Sequence, residues 1–91
     1  MKCVISVLGG DRTGIVAAVA NILLECNANI DDINQTILGE NEIFCMTMLA
    51  TLAPDSATFD EVQARLKIAG DDLGLQISIQ REDVFRFMHE I

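Results

Sequence analysis

The segment that most constrains the fold is the opening one, a strand pattern that runs through a glycine turn into a helix. Lys2 to Leu8 is a short run rich in β-branched residues, and it ends at Gly9-Gly10. A run bounded by glycines in this way predicts a strand. Because its odd and even positions are both apolar, the strand is expected to be central and covered on both sides. An amphipathic helix pattern then opens at Thr13, a good N-cap residue, and continues to about Asn27.

The middle of the chain predicts a β-hairpin. The segments 30–38 and 43–52 both have strand character and flank the turn-forming sequence Gly-Glu-Asn-Glu at 39–42. The first segment alternates in part and has one polar face, whereas the second is apolar on both faces. Asparagine tolerates the left-handed conformation that closes helices, so residues 27–29 are expected to end the first helix.

The last third predicts a helix, a strand and a short final helix. Thr58 and Glu61 have capping-box spacing, with Ser56 as a competing N-cap, and Gly74 is expected to end this second helix. Residues 75–80 alternate cleanly between apolar and polar, which is typical of a half-exposed edge strand. A final helix is expected to start at Glu82.

The order β-α-β-β-α-β predicts an α+β fold, the ferredoxin-like sandwich. It has one four-stranded antiparallel sheet with two helices on one face, here followed by a short C-terminal helix. The expected strand order 4-1-3-2 puts strands one and three in the centre, and these are the two patterns that are apolar on both faces. We expect one domain over residues 1–91, with 81–91 as a helical extension. The other sheet face then needs a cover, either this extension or a second subunit.

Composition excludes several classes of function. The 91 residues carry a net charge of −8, so binding to nucleic acid or to an anionic membrane is disfavoured. Apolar residues make up 51% of the chain, which is high for so small a domain and predicts a partner chain. No apolar run is long enough to span a membrane, and the opening run is too short for a signal peptide, so we expect a cytoplasmic protein. The three cysteines form no C-x-x-C pair, and no metal or cofactor site is predicted.

The fold supports many functions, so the residues of the site must discriminate between them. An RNA-binding domain of this topology displays aromatic residues on strands one and three, but strand one has none and strand three has only Phe44. A metallochaperone would carry a cysteine pair in the first loop, and an acylphosphatase-type loop would need an asparagine beside its arginine. Neither is present. The glycine spacing fits neither a dinucleotide fingerprint nor a P-loop.

Residues 11–16, Asp-Arg-Thr-Gly-Ile-Val, together with Asn29-Ile30 at the start of strand two, resemble the ACT domain. The resemblance extends from strand one through strand four, and the chain is also similar to the small stand-alone UPF0237-type ACT proteins. It implies that an amino acid or similar small ligand binds at a dimer interface, between the first loop and the start of the neighbour's second strand. The candidate ligand-binding residues are then Asp11, Arg12, Thr13, Gly14, Ile15, Asn29 and Ile30.

Each of these assignments has a structural alternative. Asp11 could serve only to accept hydrogen bonds from loop or helix N–H groups. Gly14 could serve to relieve crowding between helix and sheet, and Asn29 could be a helix terminator. The pair Asp31-Asp32 is expected to be solvated rather than a cation site. Four apolar residues are expected at an interface: Ile33, Ile37, Phe85 and Met88.

We therefore expect a regulatory module rather than an enzyme. No nucleophile–base pair, pair of catalytic carboxylates or metal cluster can be assembled from the sequence. The module would form a homodimer or a larger homo-oligomer, bind a small ligand such as an amino acid, and act in trans on a partner protein that the sequence does not identify. The alternative is a structural interaction module that uses the same surfaces without any ligand.

Overall fold

Four strands form one antiparallel sheet in the order β2-β3-β1-β4. The computed structural model describes residues 1–11, 13–39 and 42–89, with the side chains of Met88 and His89 outside that description. The strands are β1 (Lys2–Gly10), β2 (Ala28–Leu38), β3 (Ile43–Leu52) and β4 (Gln76–Arg81); the helices are α1 (Ile15–Glu25), α2 (Phe59–Leu73) and α3 (Glu82–His89). The predicted ferredoxin-like arrangement, with β1 and β3 in the centre, is confirmed.

Local signals set most of the element boundaries. The Thr58 hydroxyl accepts a hydrogen bond from the Glu61 backbone N–H at 3.2 Å and donates to the Glu61 carboxylate at 3.1 Å, which confirms Thr58 as the N-cap of α2 and pairs it with Glu61. Gly74 closes α2 with a φ of 69°. Asn27 has a φ of 59° just after α1, so the predicted left-handed asparagine is confirmed as well.

The start of α1 differs from the prediction. Thr13 is not the N-cap; Gly14 occupies that position with φ 90° and ψ 4°. The backbone turns through the left-handed region immediately before the helix, and this region favours glycine over threonine because threonine carries a branched Cβ. The helix therefore begins at Ile15, one residue later than Thr13 as the N-cap would have placed it.

The hydrophobic core lies between the sheet and the helices α1 and α2. Its sheet side consists of alternate residues of β1 and β3, among them Ile5 and Met48, which are fully buried. Val19 and Leu23 of α1 and Val62 of α2 fill the opposite side. Because residues of a strand alternate between faces, the side chains at positions 4, 6 and 8 of β1 point to the other side of the sheet, which we call the open face.

The helix α3 covers one end of the open face. Val4 lies on this face and outside the core cluster, yet it is only 3% exposed. The helix α3 begins at Glu82, directly after β4, and contacts both β1 and β4. At the other end of β1, Leu8 is 45% exposed. The C-terminal helix therefore supplies part of the predicted cover and leaves the Leu8 end of the sheet bare.

Candidate functional site

The loop between β1 and α1 is held at one end by the sheet. The Asp11 backbone N–H donates to the Glu42 carbonyl oxygen at 2.9 Å, which extends the β1–β3 ladder by one residue. At the other end Ile15 is buried in the core and anchors the first turn of the helix. Asp11, Thr13 and Gly14 between these anchors are exposed, and Arg12 lies outside the described residues.

Gly14 has a conformational role. A Cβ built on Gly14 would meet nothing within 4 Å, so the alternative of relieving crowding between helix and sheet is wrong. Its φ of 90° is the reason for glycine at this position. Close packing between helix and sheet requires glycine at Gly70 of α2 instead, where a Cβ would stand 2.8 Å from the Leu75 carbonyl oxygen and 3.3 Å from Ile77 of β4. Open space in front of Gly14 leaves the helix start accessible.

The first turn of α1 carries backbone donors that the helix itself does not use. Among the described residues, the first N–H to bond within the helix is that of Ala18, which donates to the Gly14 carbonyl oxygen at 2.9 Å. Among the described residues no side chain caps this helix, and the first turn holds no acidic residue. Exposed N–H groups at a helix N-terminus carry partial positive charge and can bind a carboxylate or another anion.

The carboxylate of Asp11 is available at the same loop. Within the described part of the chain it takes part in no hydrogen bond or ion pair, so its alternative role as an acceptor for loop N–H groups finds no support there. The loop thus combines backbone donors, which suit a carboxylate, with a free carboxylate, which suits an ammonium group.

Asn29 belongs to a second polar cluster, at the start of β2. Its side-chain Nδ2 donates to Asp31 at 2.6 Å, and the Thr51 hydroxyl donates to the other oxygen of the same carboxylate at 2.5 Å. A β-bulge between Ile30 and Asp32 brings Asp31 into this position. The two hydrogen bonds, with that from Thr51 the larger cause, hold the pKa of the Asp31 carboxyl below its usual value of 3.8.

This cluster resolves the remaining questions about the start of β2. Asn29 lies inside the strand, and Asn27 has the role of closing the helix. Asp32 accepts a hydrogen bond from the Ile33 backbone N–H at 2.9 Å. Thr51 was missed by the sequence reasoning, because its contact with Asp31 depends on the pairing of β2 with β3 and on the bulge. The described residues contain no group of three or more His, Cys, Asp or Glu placed to hold a metal ion.

The two candidate clusters lie at opposite ends of the sheet within one chain. The Asp11 backbone pairs at Glu42, whereas Asn29 is in register with Thr51, nine residues further along β3. At about 3.3 Å per residue the two clusters are roughly 30 Å apart. They cannot contact one small ligand within a single chain.

The edge strand β2 carries the first two predicted interface residues. Ile33 and Ile37 are both exposed, and by register they lie on the helix side of the sheet. Phe85 of α3 is half-buried, and the side chain of Met88 lies outside the description. The strongly exposed aromatic residue of α3 is Phe87, at 84%. A groove of about 440 Å³ runs along the opposite edge strand, β4, and none of the candidate ligand residues lines it.

None of the described helices combines the length and the apolar character that a membrane crossing requires.

Comparison with known proteins gives the family. The family model described as ACT domain matches residues 2–80, which leaves the whole of α3 outside the match. A UPF0237 protein of Methanocaldococcus jannaschii is 44% identical over 90 residues, 99% of this chain and 98% of that protein. The solved ACT domain protein from Streptococcus pneumoniae superposes with a TM-score of 0.79 at 35% identity and covers 93% of both chains. A putative glycine cleavage system transcriptional repressor superposes with a TM-score of 0.75 at 25% identity, over 87% of this chain and 44% of that one. This chain therefore belongs to the ACT domain family, and its relatives over the full length are UPF0237 proteins.

Proposed function

We propose that this protein is a regulatory module that binds a small zwitterion, with an amino acid as the first class to test, between two copies of the chain. A separate partner protein would recognise the ligand-bound form, so that the module acts in trans. The observation that carries the proposal is the loop at the start of α1. There, the N–H groups of the first helical turn and the exposed carboxylate of Asp11, which has no partner among the described residues, belong to one short loop.

The two halves of a zwitterion match this loop. The carboxylate of the ligand would accept from the N–H groups of the first turn, as anions do at helix N-termini. Its ammonium group would donate to Asp11, a charge-assisted contact. The side-chain oxygen Oδ1 of Asn29 would accept a hydrogen bond from the ligand, because within the described residues the contact with Asp31 uses only the amide nitrogen Nδ2.

A second copy supplies a geometry in which the distant Asn29 cluster approaches the loop. The segment 33–38 of β2 is an unpaired edge without charge or proline, which is the kind of strand that pairs with another copy. An antiparallel pairing of two β2 strands about a two-fold axis at Asn34 would place Asn29 opposite the partner's Leu38, because the bulge at Asp31 adds one residue between Asn29 and the axis. Leu38 stands in the same row as Ile43 and Gly10, at the loop end of the sheet.

The test is thermal unfolding of the protein with each of the twenty amino acids, with the oligomeric state followed by light scattering in the same samples. A ligand present at 100 times its Kd stabilises the folded state by about 2.7 kcal/mol, which is roughly 10–20 °C in Tm for a domain of this size. Asp11→Asn should abolish this shift while leaving the unliganded Tm nearly unchanged.

The matched control is Asp60→Asn. It removes the same charge from an exposed position at the start of α2, at the far end of the molecule. Undiminished affinity in Asp11→Asn would overturn the site assignment. A flat response across the panel, with a specific protein co-purifying, would favour the ligand-free interaction module. The exposed apolar residues of β2 would also suit that second function. Cytoplasmic location and the absence of catalysis stay predictions.

A further inference from the structure

The open face of the sheet carries a neutral and partly apolar surface at its Leu8 end. Two rows of residues cross all four strands there and a third crosses three of them, and none of their side chains is charged: Asn34, Thr47, Ser6 and Ser78; Thr36, Cys45, Leu8 and Gln76; and Leu38, Ile43 and Gly10. Leu8, Leu38 and Ile43 are all exposed. We call these three side chains, with the half-buried Cys45 between them, the apolar end.

The outer side of α3 is a second apolar surface on the same face of the molecule. Val84 and Phe87, three residues apart, lie on one side of the helix and are both exposed, and Phe87 is 84% exposed. The acidic residues at the start of α3 are each paired with an arginine, Glu82 with Arg86 at 3.2 Å and Asp83 with Arg81 at 2.9 Å. These four charged groups sum to zero, so the helix presents its apolar side chains beside two compensated ion pairs.

We infer that two copies of this chain associate through their open faces, with the Val84–Phe87 side of α3 from each copy packed on the apolar end of the other. This interface is distinct from the β2 edge, and it does not depend on any ligand.

The shape of the open face favours a second copy as the occupant. A helix raises the surface on which it lies by about 10 Å, and α3 occupies only the Val4 end. The two α3-covered ends cannot pack directly on each other. A two-fold axis that lies parallel to the sheet and perpendicular to the strands places the covered end of one copy over the bare end of the other. Each α3 then lies over the bare end of the other copy. A surface that is half raised and half bare is thus complementary to itself.

Charge favours the same occupant. Each copy has a net charge of −8, so two copies repel each other unless they meet where neither carries charge. The three rows at the apolar end carry no charge and the four charged groups of the α3 ion pairs compensate one another, whereas Asp32 remains as a charge of the same face, on β2 in the row of Val4. A basic partner would instead be expected on an acidic surface, which this is not.

The available area is close to the lower limit for a specific interface, which is about 600 Å² per partner. With strands of nine or ten residues, the sheet is about 30 Å long, and four strands give it a width of about 19 Å. Its projection is then roughly 570 Å², and a corrugated surface with a protruding helix exposes more than its projection. A standard interface buries about 800 Å² per partner.

The experiment is sedimentation equilibrium of the full chain and its variants. Phe87→Glu and Leu8→Gln should each weaken association by about ten-fold or more, because each removes a large apolar side chain from the interface. The control Ile68→Glu makes the same kind of change at an exposed apolar residue of α2, on the opposite side of the sheet, and should leave association unchanged. Circular dichroism checks that each variant folds.

Salt provides an independent readout. Raising the salt concentration should strengthen this association, since it screens the repulsion between two acidic copies. A variant of the β2 edge, Ile33→Lys, separates the two interfaces. If both exist, the wild type is a tetramer and each variant leaves a dimer. A wild-type dimer that Ile33→Lys disrupts and Phe87→Glu does not would overturn this inference and retain the β2 interface. A wild-type dimer that Phe87→Glu disrupts and Ile33→Lys does not would support the open-face interface and overturn the β2 interface.

Discussion

Replacement of Gly14 by alanine tests whether the start of α1 depends on backbone conformation alone. The residue has a φ of 90°, and an added Cβ would contact nothing within 4 Å, so the substitution introduces no steric clash with other residues. Holding an L-residue in the left-handed region costs about 1–2 kcal/mol. The alanine also reduces the freedom of the unfolded chain, which offsets about 0.4–1 kcal/mol of that cost.

We therefore expect Gly14→Ala to lower the free energy of unfolding by about 1 kcal/mol, or roughly 4–8 °C in Tm. Gly10 provides the matched control. It also has open space around its Cβ position, but its φ lies outside the positive range. Gly10→Ala should leave stability unchanged or raise it slightly. Gly14→Asn should cost less than Gly14→Ala, since asparagine tolerates the left-handed region better.

Urea unfolding, followed by circular dichroism, measures all three variants on the same scale. Equal stabilities of Gly14→Ala and Gly10→Ala would refute the conformational argument. A loss much larger than 2 kcal/mol would also contradict it, because it would require a steric conflict that the surroundings of Gly14 do not contain.

Three further predictions concern the core, the β2 cluster and the second helix. Leu23→Ala should cost about 2–5 kcal/mol in urea unfolding because this side chain is fully buried, whereas Leu24→Ala, at a neighbouring position with 74% exposure, should cost little. Because the pKa of Asp31 is lowered in the folded state, its carboxylate stabilises the fold at pH values above the pKa of Asp31 in the unfolded chain, and this stabilisation is lost as the pH falls through the folded-state pKa. Thr51→Val should raise the folded-state pKa of Asp31 in an NMR titration. An unchanged pKa would exclude the Thr51 hydrogen bond as the main cause of the shift. Thr58→Ala should reduce the free energy of unfolding by about 0.5–2 kcal/mol through loss of the N-cap, and unaltered stability would show that the cap contributes nothing.

The sequence by itself determined the elements, their order and most of their ends. Strand and helix periodicity, the Thr58 N-cap, the left-handed Asn27 and the terminating Gly74 all act within a few residues along the chain. Such signals are legible because both partners of each interaction are close in sequence. The central position of β1 and β3 was predictable too, because the apolar pattern on both faces of each strand can be recognised within the strand itself.

Tertiary structure decided which residues meet and which stay exposed. The left-handed turn at Gly14 follows from how β1 delivers the chain to α1, and it overrode the local preference of Thr13 as a cap. The Asn29–Asp31–Thr51 cluster required both the β2–β3 register and a bulge. Only the packing of α3 on β1 and β4 showed that Phe87 faces outward and that one end of the open face is bare. These contacts join residues far apart in sequence, so no local pattern of the chain encodes them.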